Sequence, residues 1–406
     1  MTLSDHFGFI RSRKMELGGT AAICIVASMI GALFAGSTVP TPLYVIYKQQ
    51  FGFSQISLTL IYAAYVVGNL AALLLFGRLS DQIGRRRSGV IAMAIAIISA
   101  LIFLFAQGIV SLYAGRILSG LAIGIGAGTG TAWLAELIAE ENKSRATVIA
   151  TSANFVGLGI GALMSGVLAD WISSPLRLPF IVYLAVLVPM SALVWFSHET
   201  VSDPVQTIER ISLRPQLSVP AEIRAQFVAP AVTGFGAMAL VGFYAALAPS
   251  LLAERLHETS HAAAGAVFLE LAAVVAASIV ATQSLSSRAA MLWALGLMLP
   301  SVALLVSAQI VASMAIMIVA TAACGIAAGL GYRGSLQVVN QIAPEHRRAE
   351  VVSSYFVCGF SGNALPVIGV GVISTLASST AASLVFAVTI SLFALVALCF
   401  GIKYPQ

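Results

Sequence analysis

The sequence predicts an all-α integral membrane protein with twelve transmembrane helices in two pseudo-symmetric six-helix halves. The first observation is composition: 59% of the residues are hydrophobic and the mean hydropathy is +0.97, more apolar surface than one water-soluble core can bury. The second is length, because the apolar runs reach the ~20 residues needed to cross ~30 Å of hydrocarbon. The third is an internal repeat on either side of one long polar segment.

The apolar runs define the predicted spans, with ends uncertain by a few residues. In chain order the spans cover residues 18–46, 54–77, 86–107, 111–138, 144–169, 178–197, 226–252, 262–284, 289–307, 310–340, 347–373 and 380–402. Because the number of spans is even, both termini are expected on the same side of the membrane.

The distribution of lysine and arginine indicates which side that is. These residues are concentrated at the two termini and in alternate loops, whereas the other side has only Lys48, Arg177 and Arg255. The positive-inside rule therefore predicts cytoplasmic termini for a multi-pass protein of the bacterial inner membrane, with the lipid bilayer as its surroundings. The net charge of +5 follows from this topology, and nucleic-acid binding is not expected.

One long polar interruption divides the chain. The predicted organisation is an N-terminal six-helix bundle over residues 1–197, a cytoplasmic linker over 198–225 and a C-terminal six-helix bundle over 226–406. The two bundles repeat a glycine pattern at an offset of 205 positions: Gly120, Gly124 and Gly126 recur at Gly325, Gly329 and Gly331. Duplicated six-helix halves are typical of transporters in which one half rocks against the other.

Other functional classes lack their sequence signals. The four cysteines lie inside apolar runs without metal-ligand spacing, so no metal site is predicted. We find neither a motif of an intramembrane enzyme nor a nucleotide-binding loop, and we expect no enzyme activity, no catalytic residue and no cofactor. A non-transporting membrane sensor is the distant alternative, and it would be expected to carry a soluble domain.

The loop between the second and third spans, "GRLSDQIGRRR", crowds one aspartate and four arginines into residues 77–87. Its spacing of Gly77, Asp81, Gly84, Arg85 and Arg86 resembles the signature loop of the major facilitator superfamily. The resemblance implies a gate in which Asp81 faces a helix end at the seam between the halves. The arginines would pair with carboxylates at the inner face, and these pairs would break when that face opens.

Three charged residues fall inside predicted spans and are functional candidates for that reason. Arg116 matches an arginine of the family's fourth span that is often tied to proton coupling, with bracing of the fold as the alternative. Glu270 is the best candidate for a proton carrier, with a structural ion pair as the alternative. Arg333 is predicted to be either the partner of Glu270 or a substrate anchor.

The remaining candidates for substrate binding are uncharged, and each of them either lines a cavity or satisfies a neighbouring backbone group. Together they favour a neutral, hydrogen-bonding and aromatic small-molecule substrate. They are Tyr44, Trp133, Asn154, Tyr244, Gln337, Asn340 and Asn363.

Two resemblances within the superfamily bear on the substrate. The segment "STVPTPLY" of the first span and His261 are similar to a branch with bacterial riboflavin and copper importers, and this chain lacks the methionine pairs of the copper members. Uptake of a riboflavin-like vitamin by a monomer is therefore the expected function. The glycine-dense fifth span resembles drug/proton antiporters, although Ala162 replaces their proline. Proton-coupled multidrug efflux is accordingly the alternative.

Overall fold

The computed structural model describes residues 19–138, 143–171, 174–202 and 217–403. Residues 1–18 and half of the predicted linker, 203–216, lie outside the described residues. The helices are α1 (Gly19–Thr38), α2 (Tyr44–Phe51), α3 (Gln55–Phe76), α4 (Leu79–Ile83), α5 (Arg85–Leu104), α6 (Ile109–Leu137), α7 (Lys143–Trp171), α8 (Leu178–Phe196), α9 (Arg224–Arg255), α10 (His261–Ala281), α11 (Ser287–Val311), α12 (Met314–Ile342), α13 (Arg348–Leu376) and α14 (Ser379–Lys403).

Twelve of these helices are long and apolar enough to cross a membrane, all except α2 and α4. The prediction of an all-α membrane protein with twelve spans is therefore confirmed. Eleven of the predicted spans correspond to single helices whose ends differ by a few residues from the prediction, as expected when hydropathy alone sets the ends.

The first predicted span, 18–46, was wrong as one continuous helix. The chain ends α1 at Thr38, passes through a turn and starts α2 at Tyr44. Pro40 and Pro42 are responsible, because neither has a backbone N–H to continue the helical hydrogen-bond ladder. The turn is held instead by short-range bonds such as Thr41 N–H to the Thr38 carbonyl, 2.9 Å.

The helices group into an N-half, α1–α8, and a C-half, α9–α14, whose repeated glycines occupy equivalent positions. A Cβ at Gly120 of α6 would overlap the Tyr65 carbonyl of α3, and one at Gly325 of α12 would lie 2.9 Å from Val274 of α10. The same pairing of helices thus recurs in each half. Glycine is needed at both sites because the helix backbones approach too closely for a side chain.

Loops fall on two faces of the bundle because successive spans run in opposite directions. We call the face with loop 77–84 and loop 282–286 the basic face, and the face with residues 39–54 and 256–260 the opposite face. The halves meet along two seams, α7 against α10 and α3 against α13. These seams position every candidate site below.

Candidate functional site

The signature loop forms a compact ion-pair cluster. Arg85 is 7% exposed, and its Nη1 lies 2.5 Å from Asp81 Oδ1. Its Nη2 and Nε donate to the two carboxylate oxygens of Glu136 at 2.6 and 3.2 Å, a bidentate geometry that suits guanidinium. Nη1 also donates to Ser80 Oγ at 2.6 Å. The predicted pairing of an arginine with a carboxylate is therefore present, and Arg85 carries it.

Gly84 adopts a left-handed conformation, with φ +99°, that only glycine accepts readily. A Cβ there would also lie 2.5 Å from a carboxylate oxygen of Glu199. That carboxylate accepts from the backbone N–H groups of Arg85, 2.8 Å, and Arg86, 3.1 Å. Glu199 therefore caps α5, and sequence reasoning missed it. The available signal was a lone acidic residue just after the sixth span.

The structure places this cluster within one half. Asp81 and Glu136 both belong to the N-half, so separation of the halves need not break their bonds to Arg85. The expectation that Asp81 faces a helix end across the seam is not met in this conformer. The α4 turn is the physical reason, since it brings Asp81 four residues before Arg85 and on the same side.

Contacts that join the halves extend from the basic-face side of the bundle's middle to the opposite face. The Phe155 ring of α7 meets the Tyr332 ring of α12 at 6.1 Å between centroids and an interplanar angle of 84°. Nearer the opposite face, a Cβ at Gly371 of α13 would overlap Thr59 of α3. The described conformer is therefore one in which the opposite face is closed.

Asp170, at the end of α7, forms a polar contact across the seam with several hydrogen bonds. Its Oδ1 accepts from the His261 N–H at 2.9 Å and lies 2.7 Å from His261 Nδ1. Its Oδ2 accepts from the Ala262 N–H at 2.8 Å and from Ser260 Oγ at 2.7 Å. An N-half carboxylate thus caps the first turn of a C-half helix, where the dipole favours negative charge. We call Asp170 and residues 260–262 the outer latch.

Sequence reasoning did not select Asp170, and it singled out His261 only through a resemblance. Glycines on both α7 and α10 explain how the two helices approach. Gly166 allows contact with the His261 carbonyl, and a Cβ at Gly265 would lie 2.6 Å from the Ala162 carbonyl. The glycine-dense fifth span therefore forms a half-to-half contact. Ala162, which replaces the antiporter proline, takes part in it.

Arg116 is fully buried, and the structure favours the bracing alternative. One guanidinium nitrogen donates to the Ser37 carbonyl at 2.5 Å and another donates to the Tyr44 hydroxyl. The guanidinium also lies 5.1 Å from the Tyr44 ring centroid and 5.8 Å from that of Tyr62. Arg116 therefore stabilises the end of α1, where the turn leaves the Ser37 carbonyl without its helical N–H partner. Its proposed role in coupling stays a prediction.

Arg333 stabilises a helix end in the same way. Its guanidinium donates to the backbone carbonyls of Thr282 at 2.6 Å, Gln283 at 3.0 Å and Leu285 at 3.0 Å, which follow the last turn of α10. A cation at that end also complements the helix dipole. Arg333 is thus not paired with Glu270, contrary to one of the two sequence-based alternatives.

Glu270 lies nine residues after the start of α10 and eleven before its end. It is half-buried, and among the described residues it makes neither an ion pair nor a hydrogen bond. The glycine contacts to α7 and α12 use other faces of α10, and Glu270 shares its face with the exposed Ala266, Ala273 and Ala277. The structure therefore gives Glu270 no partner among the described residues, and its role as proton carrier stays a prediction.

Several predicted substrate ligands are occupied by the protein itself. The Trp133 indole N–H donates to the His198 carbonyl at 3.0 Å. Asn363, 2% exposed, accepts at Oδ1 from the hydroxyls of Tyr62, 2.8 Å, and Tyr65, 3.2 Å. Asn363 therefore ties α13 to α3, and Tyr44 is committed to Arg116. In this conformer these three side chains hold the fold together.

The other candidates separate into two groups. Asn154, beside Phe155 on α7, has a buried amide oxygen without a hydrogen-bond partner, and the hydroxyl of the completely buried Tyr244 also has none. Gln337 and Asn340 instead lie at the basic face, where Ser287 Oγ donates to the Gln337 side chain at 3.1 Å. The structure thus leaves Asn154 and Tyr244 as the candidates with unused hydrogen-bonding capacity.

The class of this protein follows from its two six-helix halves, which meet where α7 packs against α10 and α3 against α13. This is the architecture of a helical membrane transporter. A family model described as Major Facilitator Superfamily matches residues 24–367, and the chain belongs to that superfamily. It is therefore a secondary transporter rather than an enzyme. No curated protein matches the sequence significantly.

A solved structure supports the same fold. It is titled as the crystal structure of a bacterial homolog to the human lysosomal transporter Spinster, in an inward-facing and unoccupied conformation. The chain matches it with a TM-score of 0.73 at 15% identity, over 95% of this chain and 98% of that one. At this identity the similarity establishes the fold alone.

Proposed function

We propose that this transporter moves a small, neutral organic solute across the bacterial inner membrane by alternating access, with the solute bound between α7 and α12. The Phe155–Tyr332 contact carries the proposal, because it joins the two halves through aromatic side chains on the basic-face side of the bundle's middle. Tyr332 lies ten residues, or ~15 Å, from the end of α12. A solute that binds there would separate two aromatic rings and touch both halves.

The groups around this contact favour a planar solute with hydrogen-bonding atoms. Phe155 and Tyr332 offer aromatic surface, and the Asn154 amide oxygen offers an unused acceptor. Aromatic rings bind flat ring systems through offset or edge contacts, while an amide selects for polar atoms. Together with the resemblance of the first span to riboflavin importers, this chemistry supports uptake of a riboflavin-like vitamin. In this proposal the basic face and both termini are cytoplasmic.

Multidrug efflux is the second candidate. One observation favours it: the glycines of α7 that resemble the antiporter pattern lie in the α7–α10 seam, where Gly159 meets Leu269 and Gly166 meets His261. A seam made of small and apolar groups would admit lipophilic solutes of varied shape.

A complementation test distinguishes the two. The chain is expressed in a bacterium that can neither synthesise nor import riboflavin, and growth and labelled uptake are measured at low external riboflavin. We expect rescue by the native chain. Failure to rescue, combined with raised resistance to lipophilic cations in a pump-deficient host, would establish efflux instead.

The binding site has its own prediction. Phe155→Ala should raise the KM for uptake about tenfold, because losing one aromatic contact costs roughly 1.4 kcal/mol. Val156→Ala is the matched control, since Val156 is the next residue on α7 but is 46% exposed. Equal KM values in the two variants would show that the solute does not bind at this contact.

Coupling is tested separately at Glu270. If Glu270 carries the proton, Glu270→Gln should abolish accumulation against a gradient while solute exchange continues. Glu258→Gln, an acidic residue in the loop before α10, is the control. Accumulation by Glu270→Gln that remains sensitive to an uncoupler would show that protons travel elsewhere.

A further inference from the structure

A polar cleft of about 710 Å³ opens at the basic face of the C-half, between the α10–α11 loop and the last turns of α12. It is separate from the solute site proposed above, which lies at the seam. Its lining consists of polar and basic residues with one leucine: Gln283, Leu285, Ser286, Ser287, Arg288, Arg333, Gln337, Asn340 and Gln341.

The cleft is suited to an anion. It contains two arginines, and no acidic side chain is among its lining residues. Arg288 uses one nitrogen on the Gly401 carbonyl at 3.0 Å, while its buried Nε has no hydrogen-bond partner. The amides of Gln337 and Asn340 supply further donors. The first N–H groups of α11, which starts at Ser287, also lie here, and a helix N-terminus attracts negative charge.

The cleft also lies at the membrane boundary. α10 ends at Ala281 and α11 begins at Ser287, so the loop between them marks the edge of the spans. α12 continues nine residues, or ~13 Å, beyond Arg333 and carries the amides past that edge. On the apolar side, Leu285 is 39% exposed and Trp293 of α11 is 64% exposed. Tryptophan at this depth is typical of the interface between lipid and water.

The corresponding position of the N-half is already filled. There Arg85 binds Glu136, whereas in the C-half Ser287 is bonded to Gln337 and Gln341 at 3.1 and 3.3 Å. The C-half therefore has neutral amides where the N-half has a carboxylate. No carboxylate of the cleft lining neutralises Arg288 and Arg333, so the positive charge of the cleft can attract an external anion.

We propose that this cleft binds the phosphodiester headgroup of an anionic phospholipid. The phosphate lies against Arg288 and the first turn of α11, the amides of α12 hydrogen-bond the remaining headgroup oxygens, and an acyl chain passes Leu285 into the bilayer. Basic pockets at the cytoplasmic ends of spanning helices attract anionic lipids by this chemistry. The proposal does not depend on which solute is transported.

The test uses the full-length protein in detergent with equal amounts of phosphatidylglycerol and phosphatidylcholine, and native mass spectrometry to count retained lipids. The native chain should retain phosphatidylglycerol preferentially. Arg288→Gln combined with Gln337→Glu should reduce that preference about tenfold, because it removes one positive charge and adds one negative charge. Arg224→Gln, at an exposed arginine of the same face, should not change it.

Two results would overturn the proposal. One is an unchanged preference for phosphatidylglycerol in the double variant, provided that its melting temperature equals that of the native chain. The other is displacement of the lipid by millimolar inorganic phosphate, which would identify the site as one for a soluble anion. Arg333 is left intact in these variants because it also stabilises the end of α10.

Discussion

Asp170→Ala should open the opposite face. The outer latch exists only when the ends of α7 and α10 are together, so its loss destabilises that conformer alone. Asp170 accepts hydrogen bonds from two backbone N–H groups and one hydroxyl. Removing a helix cap of this kind costs about 2 kcal/mol after water replaces some of the bonds. Such a loss shifts the conformational equilibrium roughly 30-fold towards the open opposite face.

The shift can be measured by electron paramagnetic resonance distances. Spin labels at Gln50 in α2 and Thr259 before α10 place one probe on each half at the opposite face, after the exposed Cys24 and Cys399 have been changed to serine. We expect a longer distance population in Asp170→Ala. Asp170→Asn should give an intermediate shift, because its amide retains one acceptor oxygen.

Glu258→Ala is the matched control for this experiment. The Glu258 carboxylate accepts from the Ser260 N–H at 3.0 Å, so it lies at the same end of α10 but joins residues of one half only. Its removal should leave the distance distribution unchanged. If Asp170→Ala and Glu258→Ala behave alike, the outer latch does not control closure.

Arg85→Ala should greatly reduce transport and lower the melting temperature. Arg85 is buried, and its removal leaves Asp81, Glu136 and Ser80 without their shared donor. Because both carboxylates are partly exposed to water, the cost to stability is roughly 1–3 kcal/mol, below that of a fully buried pair. The α4 turn and the end of α6 would then lose the contact that holds them together.

Arg87→Ala is the control for charge, since Arg87 lies two residues further along α5 and is exposed. Both variants are compared in uptake and in thermal unfolding of the purified protein. Uptake is measured at a temperature where both variants are folded. The uptake rate of Arg85→Ala should fall by more than the decrease in folded protein explains. Normal uptake by Arg85→Ala would exclude a gating role for the cluster.

The number of spans and the signature loop could be predicted from the sequence because both depend on local properties. Hydropathy over ~20 residues reports the cost of placing a segment in lipid, whatever its neighbours are. The left-handed backbone at Gly84 and the pairing of a loop arginine with a carboxylate also depend on residues close in sequence, although Asp81 was expected at a helix end on the seam and not against Arg85. Such features can be predicted without the tertiary structure.

The break in the first span was missed for a different reason. Residues 39–43 are nearly as apolar as a helix, so hydropathy did not separate α1 from α2. Pro40 and Pro42 were a local signal, but prolines also occur inside intact helices of this protein, such as Pro189 in α8 and Pro366 in α13. The break is stable here because Arg116 donates to the Ser37 carbonyl, which has no helical partner once the helix is broken.

The roles of the polar side chains were decided by the tertiary structure. Arg116 meets the Ser37 carbonyl 79 residues earlier, and Arg333 meets the Thr282 carbonyl 51 residues earlier. Asp170 caps a helix that begins 91 residues later. The sequence by itself determined that ionisable residues inside the spans must be either neutral or paired, because bare charge in hydrocarbon is costly. Tertiary packing alone decided which backbone groups became those partners. Every residue has the same backbone carbonyl, so the sequence does not mark the one that an arginine will bind.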